Sequence, residues 1–302
     1  MIIIVDKPQN ITSHDVVSKI KREYKLAYGE KLKIGHTGTL DPLCTGVLPV
    51  LTGSDTKLSD LLPSDKKYRA SVKLGIETDS QDITGNIVNI KDKKISQADF
   101  ISAAENFAGE QYQMPPMYSA IKINGEKLYN LARQGITVER KERRIIIYSI
   151  SDIEQVDENE FGFTVECSKG TYIRTLCSDI GIRLGTYGTM TSLRRLSSNG
   201  FGIEKAYELD SVLKAVSCKL IDNFVLNSEN VLEIYEKITI PASGENYYIN
   251  GGTISFDRLK NYIHDIQQPL RSYSETGKFL GLAKCTADGV KCIWKKNKED
   301  KI

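Results

Sequence analysis

KIGHTGTLDPLCTGVLPV, residues 33 to 50, places one carboxylate, Asp41, in a loop punctuated by Gly35, Gly38 and Gly46. Glycine permits backbone angles closed to other residues, and Pro42 restricts Asp41 to extended conformations, so the carboxylate sits on a constrained turn. No Lys-Ser or Lys-Thr pair follows the glycines, which disfavours the phosphate-cradling loop of nucleotide hydrolases. Two readings stand at this point: a loop that presents Asp41 to a ligand, and a surface turn that contains Asp-Pro.

The rest of the composition narrows the class. At 302 residues, 40% hydrophobic and 26% charged, the chain has the make-up of an ordinary globular protein and the length of one large domain plus a smaller one. The only apolar run at the start, Ile2 to Val5, is far shorter than a signal-peptide core, and no later segment is long enough to span a bilayer. A cytoplasmic protein with no membrane role is expected. Six cysteines, at 44, 167, 177, 218, 285 and 292, lack the close pairing of zinc or redox motifs, so no metal is expected. Cys167, Cys177 and Cys285 fall on apolar faces and read as buried thiols.

Net charge is only +2, but its distribution is uneven. Lys19, Lys21, Arg22, Lys25, Lys31 and Lys33 lie just upstream of the Asp41 loop, and Lys122, Lys127, Arg133, Arg140, Lys141, Arg143 and Arg144 crowd residues 122–144. Such clusters suit a polyanion lying near Asp41; they also suit solvated helix faces.

Periodicity supplies the elements. Met1 to Val5 reads as a strand, and Thr12 or Ser13 can cap a helix carrying Val16, Ile20, Tyr24 and Ala27. Tyr68, Ala70, Val72 and Leu74 alternate with polar residues as in a strand with one buried face. Ser96 and Asp99 resemble a capping box for a helix to about Ala108, stopped by Gly109. Residues 111–143 read as a long loop with one short helix near 127–133, Ile145–Ile150 and Phe161–Cys167 as neighbouring strands, and Ile173 to Leu184 as an amphipathic helix with Arg174 near its start. From about residue 235, short strand-like segments at 237–241, 279–285 and 289–294 suggest a small β module, ending in a frayed KKNKEDKI (295–302).

The motifs together resemble the TruB-type tRNA pseudouridine-55 synthases over nearly the whole length. They are Asp6-Lys7-Pro8 with Thr12-Ser13, GHTGTLDPLCTGVLP, Lys66 to Tyr68, LGIETDSQD (74–82), PPMYSAIKINGEKLYNLARQG from Pro115, and CSKGTYIRTLCSDIG from Cys167. Asn10 stands where the family usually shows glycine, and Asn tolerates left-handed angles better than most residues. NGGTI at Asn250 and ETGKFLGLAKC at Glu275 resemble an RNA-binding PUA domain.

The resemblance implies an α+β pseudouridine synthase fold, with a mixed, mainly antiparallel central sheet in residues 1–230 and a β-rich PUA-like domain in 231–302. It implies an RNA-gripping insertion at 112–143, mobile until RNA binds. It implies Asp41 as the catalytic carboxylate, Arg174 as the cation that keeps it ionised, and Tyr68 as the ring that stacks on the extruded base and relays the C5 proton. His36, Tyr172, Leu193 and Asp79 are implied as substrate-binding residues. No cofactor or metal is needed, the partner is the T-stem and loop of tRNA, and a monomer without an obligate protein partner is expected. Two alternatives remain: a guide-RNA-dependent synthase, and a tRNA-binding or refolding protein in which catalysis is secondary.

Overall fold

A computed structural model of the chain describes residues 1–123, 125–260 and 267–296. Its main body is a ten-stranded sheet. In chain order the first elements are β1 (Ile2–Lys7), α1 (Ser13–Tyr28), β2 (Ile34–His36), β3 (Thr45–Thr52) and β4 (Lys66–Leu74). A side ribbon, β5 (Ile76–Thr78) and β6 (Ile87–Ile90), precedes α2 (Gln97–Glu105) and β7 (Gly109–Gln113). The insertion holds β8 (Lys122–Ile123), β9 (Glu126–Lys127) and α3 (Leu128–Arg133). Then come β10 (Arg143–Asp157), β11 (Glu160–Cys167), α4 (Ile173–Arg183), β12 (Gly188–Ser198), β13 (Phe201–Gly202), β14 (Tyr207–Glu208) and α5 (Leu209–Ser217).

The strands run in the order β14-β1-β3-β12-β4-β11-β10-β7, with β2 and β13 attached to β3 and β12. Only the β1–β14 and β3–β12 pairs are parallel, so the sheet is mixed and mainly antiparallel as expected. Residues 237–294 form a separate five-stranded sheet: β15 (Lys237–Ile240), β16 (Thr253–Ile254), β17 (Leu270–Ser274), β18 (Phe279–Thr286) and β19 (Gly289–Trp294), ordered β15-β17-β18-β19-β16.

The apolar run Ile2-Ile3-Ile4-Val5 has no wet face because both sides of β1 are covered. Ile3 and Val5 pack with Leu48 and Val50 under α1 and α5, while Ile2 and Ile4 pack with Val47, Leu51, Leu282 and Trp294. Alternate residues of β1 therefore serve two cores. The second core joins the two sheets, and the Trp294 indole N–H donates to Ser54 O at 3.1 Å. In β4, Tyr68, Ala70, Val72 and Leu74 are buried as the alternation required, and they share a core with Phe100 of α2 and Leu176 and Ile180 of α4.

Several expectations need correction. The α2 helix ends at Glu105, and Gly109 starts β7 instead of stopping a helix. Residues 111–113 are likewise strand, because Gln111, Tyr112 and Gln113 pair with Ile145, Arg144 and Arg143. The insertion is thus pinned at both ends by one ladder. Cys167 and Cys177 are buried, but Cys285 is only partly covered at the edge of the smaller core. The tail expected to fray lies outside the described residues from position 297 onward. No helix among the described residues is long and apolar enough to cross a membrane.

The sequence reading also missed β12, which lies between β3 and β4 in the middle of the sheet. Register shifts at Met190/Ser192 and Arg195/Ser197 break its alternation, which hides a strand from a period-two pattern. Its close approach to β3 explains Gly46. That residue has φ +103°, and a Cβ there would sit 2.2 Å from Arg195 O. Gly35 and Gly38, by contrast, do not use left-handed angles. Gly46→Ala should therefore destabilise the fold by about 3 kcal/mol or more, through combined overpacking and backbone strain, read as a lowered midpoint in urea unfolding.

Candidate active site

Three chain segments fix the loop that carries Asp41. Asn10 adopts φ +68° and its N–H donates to Pro42 O at 2.7 Å, so the left-handed turn survives without glycine. Ser13 at the start of α1 accepts from Leu40 N at 2.8 Å. Thr37 donates through Oγ1 to Asn199 Oδ1 at 2.5 Å, beyond the end of β12. Cys44 N closes the turn onto Asp41 O at 3.0 Å.

Arg174 meets Asp41 from the first turn of α4. Its Nη2 lies 3.0 Å from Asp41 Oδ2, and the two side chains differ sharply in exposure, 6% for the arginine and 41% for the aspartate. The cation is buried and the carboxylate opens onto solvent. The same guanidinium donates to Ser80 O at 2.9 Å and to Tyr118 O at 2.6 Å, and Nη1 lies 3.7 Å from the buried Asp82 carboxylate. Ser80 Oγ, Thr84 N and Thr84 Oγ1 all donate to Asp82 Oδ1. One buried arginine thus gathers the Asp41 loop, the LGIETDSQD turn and the insertion. Burying this guanidinium is tolerable because carboxylate and carbonyl oxygens take its donors.

Tyr68 sits in β4 with its side chain in the core formed by Leu40, Cys44, Leu193 and their neighbours. Burial pushes its phenol up to about 12, against the pull of the Arg195 guanidinium beside it. The same burial holds the Cys44 and Cys167 thiols at about 12 and about 11, so both stay neutral. Leu193 lies opposite Ala70 on β12 and is 9% exposed.

Tyr172 caps α4, and the Gln113 side chain clasps its backbone, donating to Tyr172 O at 3.1 Å and accepting from Tyr172 N at 2.8 Å. Burial raises its phenol, with Ser119, Arg143, Arg174 and Asp41 as the groups that modify it, so its ring lies among the insertion and the ion pair. Asp41, Arg174 and Tyr172 are therefore brought together, with Tyr68 in the apolar floor formed by Leu40, Cys44 and Leu193.

His36 and Asp79 are not among the partners of the Arg174–Asp41 pair. His36 ends β2, half-buried, and burial followed by the nearby Arg195 charge keeps its imidazole below the usual histidine range and hence neutral near pH 7. Its Nδ1 is buried without a hydrogen-bond partner. Asp79 is exposed, and its carboxylate accepts from Asn86 N and Nδ2, both at 3.0 Å, closing its own turn.

Four residues were not singled out from sequence. Asp82 lies inside the LGIETDSQD motif beside two other acids, Glu77 and Asp79. Gln113 carried no motif. Lys7 is fully buried, donates to Pro8 O at 2.8 Å and Ile11 O at 2.7 Å, and burial lowers its amine to about 8. Arg195 follows Leu193 by two positions, a spacing that places both on one face once β12 is known to be a strand. Among the described residues no group of three or more His, Cys, Asp or Glu side chains could hold a metal ion.

The basic clusters are partly neutralised. Arg144 pairs with Glu110 across β10 and β7, whereas Lys19, Lys21, Arg22, Lys25, Lys31 and Lys33 are exposed. Among its described residues the insertion has Leu128 as a fully buried aliphatic anchor, and Arg140 ties it back by donating to Pro115 O at 2.9 Å.

Comparison with known proteins matches the chain to a family. A family model described as "TruB family pseudouridylate synthase (N terminal domain)" matches residues 22–173, which include Asp41 and Tyr68. A second, "tRNA pseudouridylate synthase B C-terminal domain", matches residues 174–233 and begins at Arg174. The "tRNA pseudouridine synthase B" of Clostridium tetani (strain Massachusetts / E88) is 44% identical over 296 residues, covering 97% of this chain and 98% of that protein. Its namesake from Clostridium novyi (strain NT) is 43% identical over 291 residues, covering 96% and 97%. Among solved structures, a chain from "Structure of H/ACA RNP bound to a substrate RNA containing 2'-deoxyuridine" shares the fold with a TM-score of 0.73 at 23% identity, covering 99% of this chain and 86% of that one. With matched domains in register and relatives aligned along nearly all of its length, this chain belongs to the TruB family of pseudouridylate synthases.

Proposed function

We propose that the chain is a stand-alone isomerase that converts uridine-55 in the TψC loop of tRNA to pseudouridine. The observation that carries this reading is the Arg174–Asp41 pair at 3.0 Å, in which a buried cation holds a carboxylate that remains open to a ligand. The names of the relatives, at up to 44% identity, supply the substrate class.

The reaction breaks the bond between uracil N1 and the ribose anomeric carbon, turns the base, and joins C5 to that carbon. A proton leaves C5 and one is gained at N1, so the product is an isomer and no oxidant or energy source is consumed. What the step requires is a carboxylate that stays ionised beneath a base, where burial alone would favour its neutral form. Arg174 supplies a guanidinium, charged at any working pH, 3.0 Å from that carboxylate. The carboxylate then serves as nucleophile, or as the fixed charge that stabilises the separated sugar and base.

The uridine lies inside a folded loop and must be extruded, which costs a few kcal/mol of stacking unless the protein replaces it. In this reading Tyr68 stacks on the flipped base and relays the C5 proton, Leu193 lines the floor, Tyr172 shapes the wall, and His36 contacts the extruded target. Asp79 keeps a supporting role beside the substrate through its turn. The insertion at 112–143 grips the T-stem and loop, and residues 231–302 act as a PUA-like module on another part of the tRNA, beside a catalytic domain of 1–230. A monomer acting in the cytoplasm fits this scheme.

Two measurements test it. Asp41→Asn should bind tRNA within about threefold of the parent while losing release of label from 5-tritiated uridine by at least about a thousandfold, the scale set by removing a catalytic nucleophile. Label release near the parent rate would remove Asp41 from the chemistry. Purified protein with a bare tRNA transcript should form pseudouridine at position 55; no product without a second RNA or protein would exclude independent action.

A further inference from the structure

Arg195 is a buried cation that the reaction scheme above does not use. It is 0% exposed, and none of the ion pairs among the described residues includes it. Its Nε donates to Val47 O at 2.7 Å and its Nη2 to Gly38 O at 3.1 Å. Those two carbonyls bracket the Asp41 loop on either side. The third donor, Nη1, is buried and has no hydrogen-bond partner. A Cβ at Gly38 would lie 3.4 Å from that nitrogen, so the loop backbone rests directly on the guanidinium.

The placement relative to Tyr68 is equally specific. Arg195 and Tyr68 are directly opposed in the β12–β4 ladder, which puts the buried guanidinium beside the buried phenol. The remaining titratable groups facing that phenol are the neutral thiols Cys44 before β3 and Cys167 on β11; Lys66 and His36 lie beside Arg195 itself.

We infer that Arg195 is a positioning residue for the isomerisation: it clamps the Asp41 loop through Gly38 and Val47, and it sets a fixed cation beside the Tyr68 phenol. This rests on the reading that Asp41 and Tyr68 belong to the site. It separates two duties for the neighbouring arginines of β12. Arg194 pairs with Asp6, with Nη2 2.7 Å from Oδ2, and ties β12 to β1, whereas Arg195 serves the reacting groups.

The test compares Arg195→Gln and Arg195→Lys in parent and Tyr68→Phe backgrounds, by single-turnover label release, tRNA affinity and thermal melting. A second set carries 3-nitrotyrosine at position 68, whose phenolate absorbance reports the Arg195 contact without any turnover. Arg195→Gln should slow label release about a hundredfold, the scale of an ångström-level misplacement, with tRNA affinity changed less than about threefold. In the Tyr68→Phe background the same substitution should cost much less. The nitrophenol should titrate about one to three pH units higher in Arg195→Gln, as loss of an adjacent cation requires, and return towards the parent in Arg195→Lys. Lysine cannot serve both carbonyls and the phenol, so its rate should remain below the parent even so. An unmoved nitrophenol titration, or equal rate losses in both backgrounds, overturns the inference. A Tyr68→Phe enzyme at full rate with a shifted nitrophenol would show that the contact exists but that Tyr68 lies outside the chemistry, which overturns the site reading and the proposed positioning role together. Arg195→Lys provides the readout if the glutamine variant does not fold.

Discussion

The site depends on one guanidinium placed where water cannot satisfy it. Arg174 has four partners, Asp41, Asp82, Ser80 O and Tyr118 O, drawn from three stretches of chain far apart in sequence. Burying the charge is tolerable only because all of these are in place together, so the loop, the LGIETDSQD turn and the insertion are held in register by a common requirement. The exposed side of Asp41 is the part of this network left open to a ligand.

The sheet supplies the rigidity behind that network. β12 enters between β3 and β4 and carries Leu193, Arg194 and Arg195, which face the apolar floor, β1 and the Asp41 loop respectively. A strand that pairs parallel on one side and antiparallel on the other cannot shift without breaking both ladders. Gly46 is the local consequence of this arrangement, because the two backbones approach too closely for any side chain. The smaller sheet shares the core beneath β1 and β3, so Trp294, close to the end of the described residues, packs with Ile2 and Ile4 near the start of the chain.

Elements with a strong local signal were legible in the sequence. The cap at Thr12 or Ser13, the alternation of β4, and the amphipathic faces of α1 and α4 needed no partner to be recognised, because each depends on residues a few positions apart. β12 was not legible: its polar interior and two register shifts conceal the period, and its burial comes wholly from neighbours distant in sequence. Asp82 and Arg195 were missed for the same reason, since a buried charge is recognisable only when its surroundings are known. Gly35 and Gly38 show the opposite error, as a glycine-rich loop suggested unusual angles that only Gly46 adopts.

By itself the sequence determined the family and the α+β class, because motif order and hydrophobic period are written along the chain. Tertiary structure alone decided which cation meets which acid. Arg174 and Arg195 look alike in sequence, yet one reaches Asp41 at 3.0 Å and the other holds Gly38 O and Val47 O beneath Tyr68. The difference arises from strand register and helix placement, which are set by packing across the whole sheet and have no local signature.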